Sequence, residues 1–326
     1  MKHRLMKHLG KLLALAGLIA AVWLFLRDDP AAIWDLLKAA GPGLVLAGLL
    51  HVLPMVLNAQ AWRVLLPGAN KPNLSSMLRA VWIRESVNGL LPVARIGGEI
   101  ASYRLLRRFG IRRAPAIASL TVDVALSIIS QLIFALAGVA FLYAAKAESL
   151  AAGIVLGMVL LAATGIGFIA IQHAGPFERV MRVVNRFAAG RFDAAIGHSA
   201  RIDRAVETLY RRRFSVGACL LWQLAGWIAG AAEIWTALHF LGNPVSPLVA
   251  LIIESLIQAV SSAAFVVPAA LGVQEAAFLA IGAALGLEPT AALALAGARR
   301  LRDLIVFLPG LMSWQAAEGQ IARYAD

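Results

Sequence analysis

Long apolar runs constrain this chain more than any other feature. The most continuous are 12–26, 43–66, 115–145, 150–171, 214–241, 245–267, 276–287 and 289–316. Several match the roughly 20 residues a helix needs to cross a hydrocarbon core about 30 Å thick. Of the 326 residues, 60% are apolar and 15% charged, against about 45–50% and 25% in a soluble domain. The expected class is an all-α polytopic membrane protein of about 6–8 transmembrane helices, a single domain over 1–326.

Charge between the runs sets the orientation. Segments 1–11, 67–113 and 172–213 hold 22 of the 30 Lys and Arg residues, while 27–42, 144–149 and 241–246 are nearly balanced or uncharged. Basic loops face the cytosol and its anionic lipid. The net charge of +12 is thereby explained without nucleic acid. The four cations before run 12–26 resemble a signal peptide's start, but Arg27, Asp28, Asp29 and Pro30 replace a small-residue cleavage site. An uncleaved first helix with a cytosolic N-terminus is expected.

Segment 172–213 is expected to be a cytosolic amphipathic connector. Phe177, Val180, Met181, Val184, Phe187 and Ala188 recur at helical spacing, with Arg179, Arg182 and Arg186 between them. Two functions fit: a helix lying on the inner leaflet, or a solvated connector with a packing face. Gly153–Gly157 and Gly226–Gly230 have the spacing that lets membrane helices approach closely, and packing is their expected role. Trp23, Trp34, Trp62, Trp82 and Trp314 fall mostly near run ends, as in an interfacial belt. Cys219, the single cysteine, reads as a small core residue.

One internal repeat stands out. Pro92-Val-Ala-Arg95-Ile-Gly97-Gly98-Glu99 precedes Gly110, and Pro268-Ala-Ala-Leu-Gly272-Val-Gln274-Glu275 precedes Gly286. Both read P-x6-E-x10-G. Proline ends one helix, small residues turn the chain, and the glutamate meets the positive end of the next helix. The flanking arms are short, so two re-entrant hairpins are expected, around Pro92–Glu99 and Pro268–Glu275, entering from opposite faces as an inverted pair. Run 289–316 is then a full crossing with Arg299, Arg300, Arg302 and Asp303 near its middle. The competing topology makes 276–298 the crossing and puts those arginines at the cytosolic surface.

Glu99, Asp123, Glu233, Glu254, Glu275 and Asp303 lie on or beside apolar helices, where an unpaired charge costs about 2.5–3.5 kcal/mol or more. One explanation is helix-to-helix gluing, with Asp303 beside Arg299 or Arg300 as the obvious pair. The other is a midplane cavity. There, arginines grip an anionic head group bidentately while a carboxylate carries a proton or binds a cation. Gln131, Gln223, Gln258, Gln274, Ser261 and Ser262 add neutral polar groups. His3, His8, His51, His173, His198 and His239 show no metal-ligand spacing, and phosphate-loop, dinucleotide and nucleophile-elbow motifs are missing. No enzyme activity, metal or cofactor is expected.

The chain resembles the flippase-like transmembrane domain of lysylphosphatidylglycerol synthases and its stand-alone bacterial relatives. Within that group, Ile253-Glu-Ser-Leu-Ile-Gln-Ala-Val-Ser-Ser-Ala-Ala-Phe-Val-Val-Pro-Ala-Ala-Leu-Gly-Val-Gln-Glu275 is similar to hopanoid-biosynthesis-associated members. So are Ala298-Arg-Arg-Leu-Arg-Asp303, Pro309-Gly-Leu-Met-Ser-Trp-Gln315, and Thr121-Val-Asp-Val124 with Gln131. The resemblance implies a multi-pass protein of the bacterial inner membrane that moves or transfers a lipid, a hopanoid or hopanoid-linked or anionic phospholipid. By position it assigns the lipid path to Glu275 and Arg299 or Arg300, with Glu99 as counterpart. Together with Arg95, Asp303, Asp123, Glu254 and Gln258 these form the candidate substrate site. The alternative is a scaffold for hopanoid-pathway proteins. Nothing here resembles the synthases' aminoacyltransferase domain, so lysine transfer is not expected.

Overall fold

The computed structural model describes residues 15–16, 18–68, 71–91, 97–144, 193–264 and 267–325, all helix, turn or irregular chain without a strand among them. The helices are α1 (Leu18–Arg27), α2 (Pro30–Ala40), α3 (Pro42–Leu49), α4 (Val52–Leu65), α5 (Leu74–Leu90), α6 (Gly97–Arg108) and α7 (Arg113–Ala144). From residue 193 onward come α8 (Asp193–Arg211), α9 (Arg213–Phe240), α10 (Pro247–Ala263), α11 (Val273–Ala284), α12 (Pro289–Arg302) and α13 (Leu308–Ala325). Run 150–171, Gly153–Gly157 and the amphipathic stretch at 177–188 lie outside the described residues, as do residues 92–96 of the first turn.

Three spans are long and apolar enough to cross a membrane: Pro42–Leu65, Arg113–Leu142 and Arg213–Phe240. The fold is therefore that of an all-α polytopic membrane protein. The first span bends where α3 meets α4. Pro54 has no N–H to offer the Leu50 carbonyl, which takes the Leu53 N–H at 3.0 Å instead. His51 lies at this junction, its side chain mostly buried. Two apolar clusters bracket the spans. One gathers Trp62, Leu65, Met77, Ala116, Leu209 and Cys219 around one set of ends; the other gathers Leu44, Leu142, Ile234, Leu238, Ile253 and Leu293 around the opposite set.

Local sequence explains the helix boundaries. Asn73 accepts the Ser76 N–H at 2.9 Å and Ser246 the Val249 N–H at 3.3 Å, capping α5 and α10. Gly110 and Gly286 sit at φ +84° and +79°, the left-handed conformation that closes α6 and α11. The two copies of the repeat share a pattern of lengths. A 17-residue helix, then a 12-residue helix with glutamate in its first turn, then a positive-φ glycine occur in each.

Run 289–316 behaves differently from a plain crossing helix. α12 continues into α13 through a wide π turn, Asp303–Phe307, with no break in helical structure. Pro309 cannot donate an N–H to the carbonyl four residues before it, which favours the wider turn. Trp82 Nε1 donates to the Val306 carbonyl at 2.6 Å within it. Trp62, expected in the interfacial belt, is instead fully buried. Its indole donates to Ser119 at 3.3 Å and lies 5.0 Å beneath the Arg84 guanidinium. Trp23 and Trp34 are exposed, over Arg27 and Lys38.

Candidate functional site: a buried ionic network

The arginines of α12 lie among packed helices. Arg299, 1% exposed, donates to Glu233 of α9 at 3.0 Å and to Glu254 of α10 at 2.6 Å. Gly230 lacks the Cβ that would stand 3.0 Å from the Glu254 carboxylate. Gly226 brings α9 equally close to Asn58 of α4, so this glycine pair does pack helices, and one of its members also makes room for a charged group. Gln258 completes the Glu254 shell from one turn away, at 2.7 Å. Gln131 ties α7 to α10, donating to the Gln258 carbonyl at 2.8 Å and to Ser262 at 2.6 Å.

Arg300, the next residue, faces the turn between α10 and α11. It reaches Glu275 at 2.7 Å and the Ala269 carbonyl at 2.9 Å. The other Glu275 oxygen accepts the Gly272 N–H at 2.7 Å, half of a capping box at the start of α11. Ala269 and Ala270 are held at φ +53° and +48°, a left-handed conformation that costs an L-residue about 1–2 kcal/mol. One guanidinium thus clamps a strained turn.

Arg302 completes the set. It contacts Asp303 at 2.9 Å, His51 Nδ1 at 2.7 Å and Glu233 at 3.5 Å. His51 bridges Glu233 at 3.1 Å and Glu85 of α5 at 3.4 Å. In their ordinary forms, five carboxylates (Glu85, Glu233, Glu254, Glu275, Asp303) meet three guanidiniums and one imidazole.

A second cluster adjoins the first through the Arg84–Glu85 step of α5. Arg84 pairs with Asp123 of α7 at 2.7 Å and approaches Glu99 of α6 at 4.0 Å. Gln223 of α9 donates to the Asp123 carboxylate at 3.0 Å. Asn88 accepts the Gly98 N–H at 2.9 Å and donates to Glu99 at 3.4 Å. At Gly98 a Cβ would stand 2.3 Å from the Arg84 carbonyl, so α6 meets α5 at the backbone.

The structure therefore brings together six of the sequence-derived site residues: Glu275, Arg299, Arg300, Asp303, Glu254 and Gln258. Glu99 and Asp123 stand in the neighbouring cluster, and Arg95 lies outside the described residues. Sequence reasoning misses Arg84, Glu85 and Asn88, which fall in the basic segment 67–113, and His51, one of six histidines without metal-ligand spacing. Glu233 and Arg302 had been noticed without a place in the site. For His51 the available signal was its lone imidazole inside run 43–66. No group of three His, Cys, Asp or Glu side chains suited to a metal occurs among the described residues.

An all-helical bundle with long apolar spans and a buried ionic core defines an integral membrane protein that holds charge deliberately inside its helices. Residues 11–310 match the model of the lysylphosphatidylglycerol synthase TM region, and the chain belongs to that family. The membership associates it with membrane lipids. No curated protein and no solved structure matches the chain.

Proposed function

We propose that this protein carries a lipid between the leaflets of a bacterial inner membrane, with its N-terminus in the cytosol and no covalent chemistry of its own. The cargo is a hopanoid, a hopanoid-linked lipid or an anionic phospholipid. The resemblance of 253–275 and 298–315 to hopanoid-associated proteins supports the first two.

The observation that carries the reading is the division of labour between adjacent arginines. Arg299 is sealed between two carboxylates, whereas the side chain of Arg300 keeps 23% of its surface exposed while clamping the α10–α11 turn. A head-group phosphate reaching Arg300 competes with Glu275 for the same planar fork. Capture then requires the Arg300 fork to let go of Glu275. Release of the clamp frees the strained turn, and the two repeat copies then act as opposed re-entrant hairpins giving access to alternate faces.

The test is leaflet-specific labelling of a tagged lipid in proteoliposomes, under a proton gradient, with hopanoid and anionic phospholipid cargoes. Wild type is expected to expose the lipid on the far face. Glu275→Gln and Arg300→Gln should reduce that rate by about tenfold or more, the loss of a charge-assisted contact, with thermal unfolding near wild type in Glu275→Gln, where Arg300 keeps Asp303 at 3.6 Å. Unchanged transport in both variants overturns the reading.

A second reading has its own support, since every guanidinium of the central network reaches a carboxylate, as helix glue would. The protein would then be a scaffold for hopanoid-modifying enzymes. It predicts loss of partner co-purification when Arg179, Arg182 and Arg186 are neutralised, with no lipid transport by wild type.

A further inference from the structure

Away from the ionic network, a cavity of about 500 Å³ opens between α8 and the ends of α4 and α7. Its floor includes Pro67, Pro115 and Leu209, and Arg201, Arg204 and Arg212 line it as well. No acidic residue lines it among the described residues. Glu207 on the same helix is taken by Arg211 at 2.7 Å. Burial and the guanidiniums of Arg212 and Arg63 pull the Lys71 ammonium below its ordinary range. Three cations and no acidic residue thus line the cavity among the described residues.

All three long spans end at this cavity. Pro67 follows the end of the first at Leu65, Pro115 lies just inside the start of the second at Arg113, and Arg212 precedes the third at Arg213. The cavity therefore sits in the plane where apolar spans give way to polar loops, which is the plane of lipid head groups. Phe214, 90% exposed beside Arg212, fits the acyl side of that plane.

We propose that this cavity is a binding site for an anionic phospholipid of the cytosolic leaflet, with the phosphate held by Arg201, Arg204 and Arg212. The apolar floor receives glycerol and the first acyl carbons, and Thr208, whose hydroxyl donates to the Arg204 carbonyl at 2.7 Å, lines the cavity as well. A free phosphate would gain the charges but leave the floor unused. A zwitterionic lipid would fill the floor but bring its own ammonium against the arginines. The site is independent of the transport reading, because it is defined by binding and shares no residue with the central network.

Native mass spectrometry of the full-length protein in detergent, titrated with phosphatidylglycerol or phosphatidylcholine, tests it. Wild type should retain phosphatidylglycerol preferentially. Arg201→Gln/Arg204→Gln/Arg212→Gln should lower that retention by about tenfold or more, toward the phosphatidylcholine level, as expected for losing three cations facing one phosphate. Ala205→Phe, which keeps every charge and fills the cavity, should lower it too. Arg27→Gln/Lys38→Gln, which removes exposed cations from other helices, should leave it unchanged. Unchanged retention in both cavity variants overturns the site. Complete displacement by excess inorganic phosphate also overturns it, marking a general anion patch.

Discussion

Arg299 shows how much a single buried charge can hold. Its guanidinium satisfies Glu233 and Glu254 together, on two different helices. Removing it takes the guanidinium from Glu254 in an apolar bundle, while Glu233 keeps Arg302 and His51, a loss of about 3–5 kcal/mol. Arg299→Met is therefore expected to lower the thermal unfolding midpoint in detergent steeply. Adding Glu254→Gln should recover a large part of the loss, because Gln258 remains beside it at 2.7 Å. An unchanged midpoint in Arg299→Met would show that the two pairs do not form. The same reasoning makes Arg300 and Glu275 better probes of function than Arg299. Glu275→Gln retains an acceptor for the Gly272 N–H, so its effect falls on charge. Charges inside apolar runs could be found by inspection, which is why Glu254, Glu275, Arg299 and Arg300 were evident from sequence. Glu85 and His51 were not, because a charge in the basic segment between runs reads as loop and a lone imidazole carries no spacing signal. Only the packing of α5 against α4 and the Pro54 bend unite them.

The repeat was visible as three matched residue types, and the structure adds matched helix lengths that no residue count contained. Proline, small residues and glutamate at fixed spacing encode a helix end, a turn and a helix start, and these are local events. Backbone strain in the second turn is not local. Ala269 and Ala270 adopt positive φ because Arg300 and the start of α11 hold the chain there, and nothing in Pro-Ala-Ala-Leu foretells it. Glycine at 269 would remove the steric penalty while adding conformational freedom to the unfolded chain, two effects of about 1 kcal/mol each and opposite sign. Ala269→Gly should thus stay within about 1 kcal/mol of wild type. Ala269→Val, β-branched at positive φ, should lose at least about 1 kcal/mol. Parallel unfolding curves measure both, and a Val variant as stable as wild type would mean that the turn relaxes freely. The π turn between α12 and α13 had a sequence cue in Pro309. Its cause was hidden until Trp82 was seen to supply a donor from another helix.

For the molecule as a whole, the order of the spans follows from hydropathy and the positive-inside rule, but the route of the chain after residue 245 does not. The choice falls on the Leu285–Glu288 link. If α10 and α11 form a hairpin dipping from the outer face, Glu288 emerges beside Asn243. If 276–298 is a crossing, Glu288 lies within the membrane. Packing joins α12 to α2 and α3 through the cluster that also holds Leu241 and Ile33, which is the end expected to face outward. α12 and α13 then descend as one helix through the ionic network to the opposite face. Cys219 is buried and is the single cysteine, so Cys219→Ala provides a clean background for single-cysteine labelling in sealed inside-out and right-side-out vesicles. Ser75→Cys and Thr208→Cys should react from the cytosolic side, since their basic segments share the cavity end of the spans. Asn243→Cys and Glu288→Cys should both react from the outer side. Protection of Glu288→Cys from both sides would replace the hairpin with a crossing. The buried arginines would then belong to the cytosolic rim, and the transport reading would lose the mid-membrane placement on which its head-group capture depends.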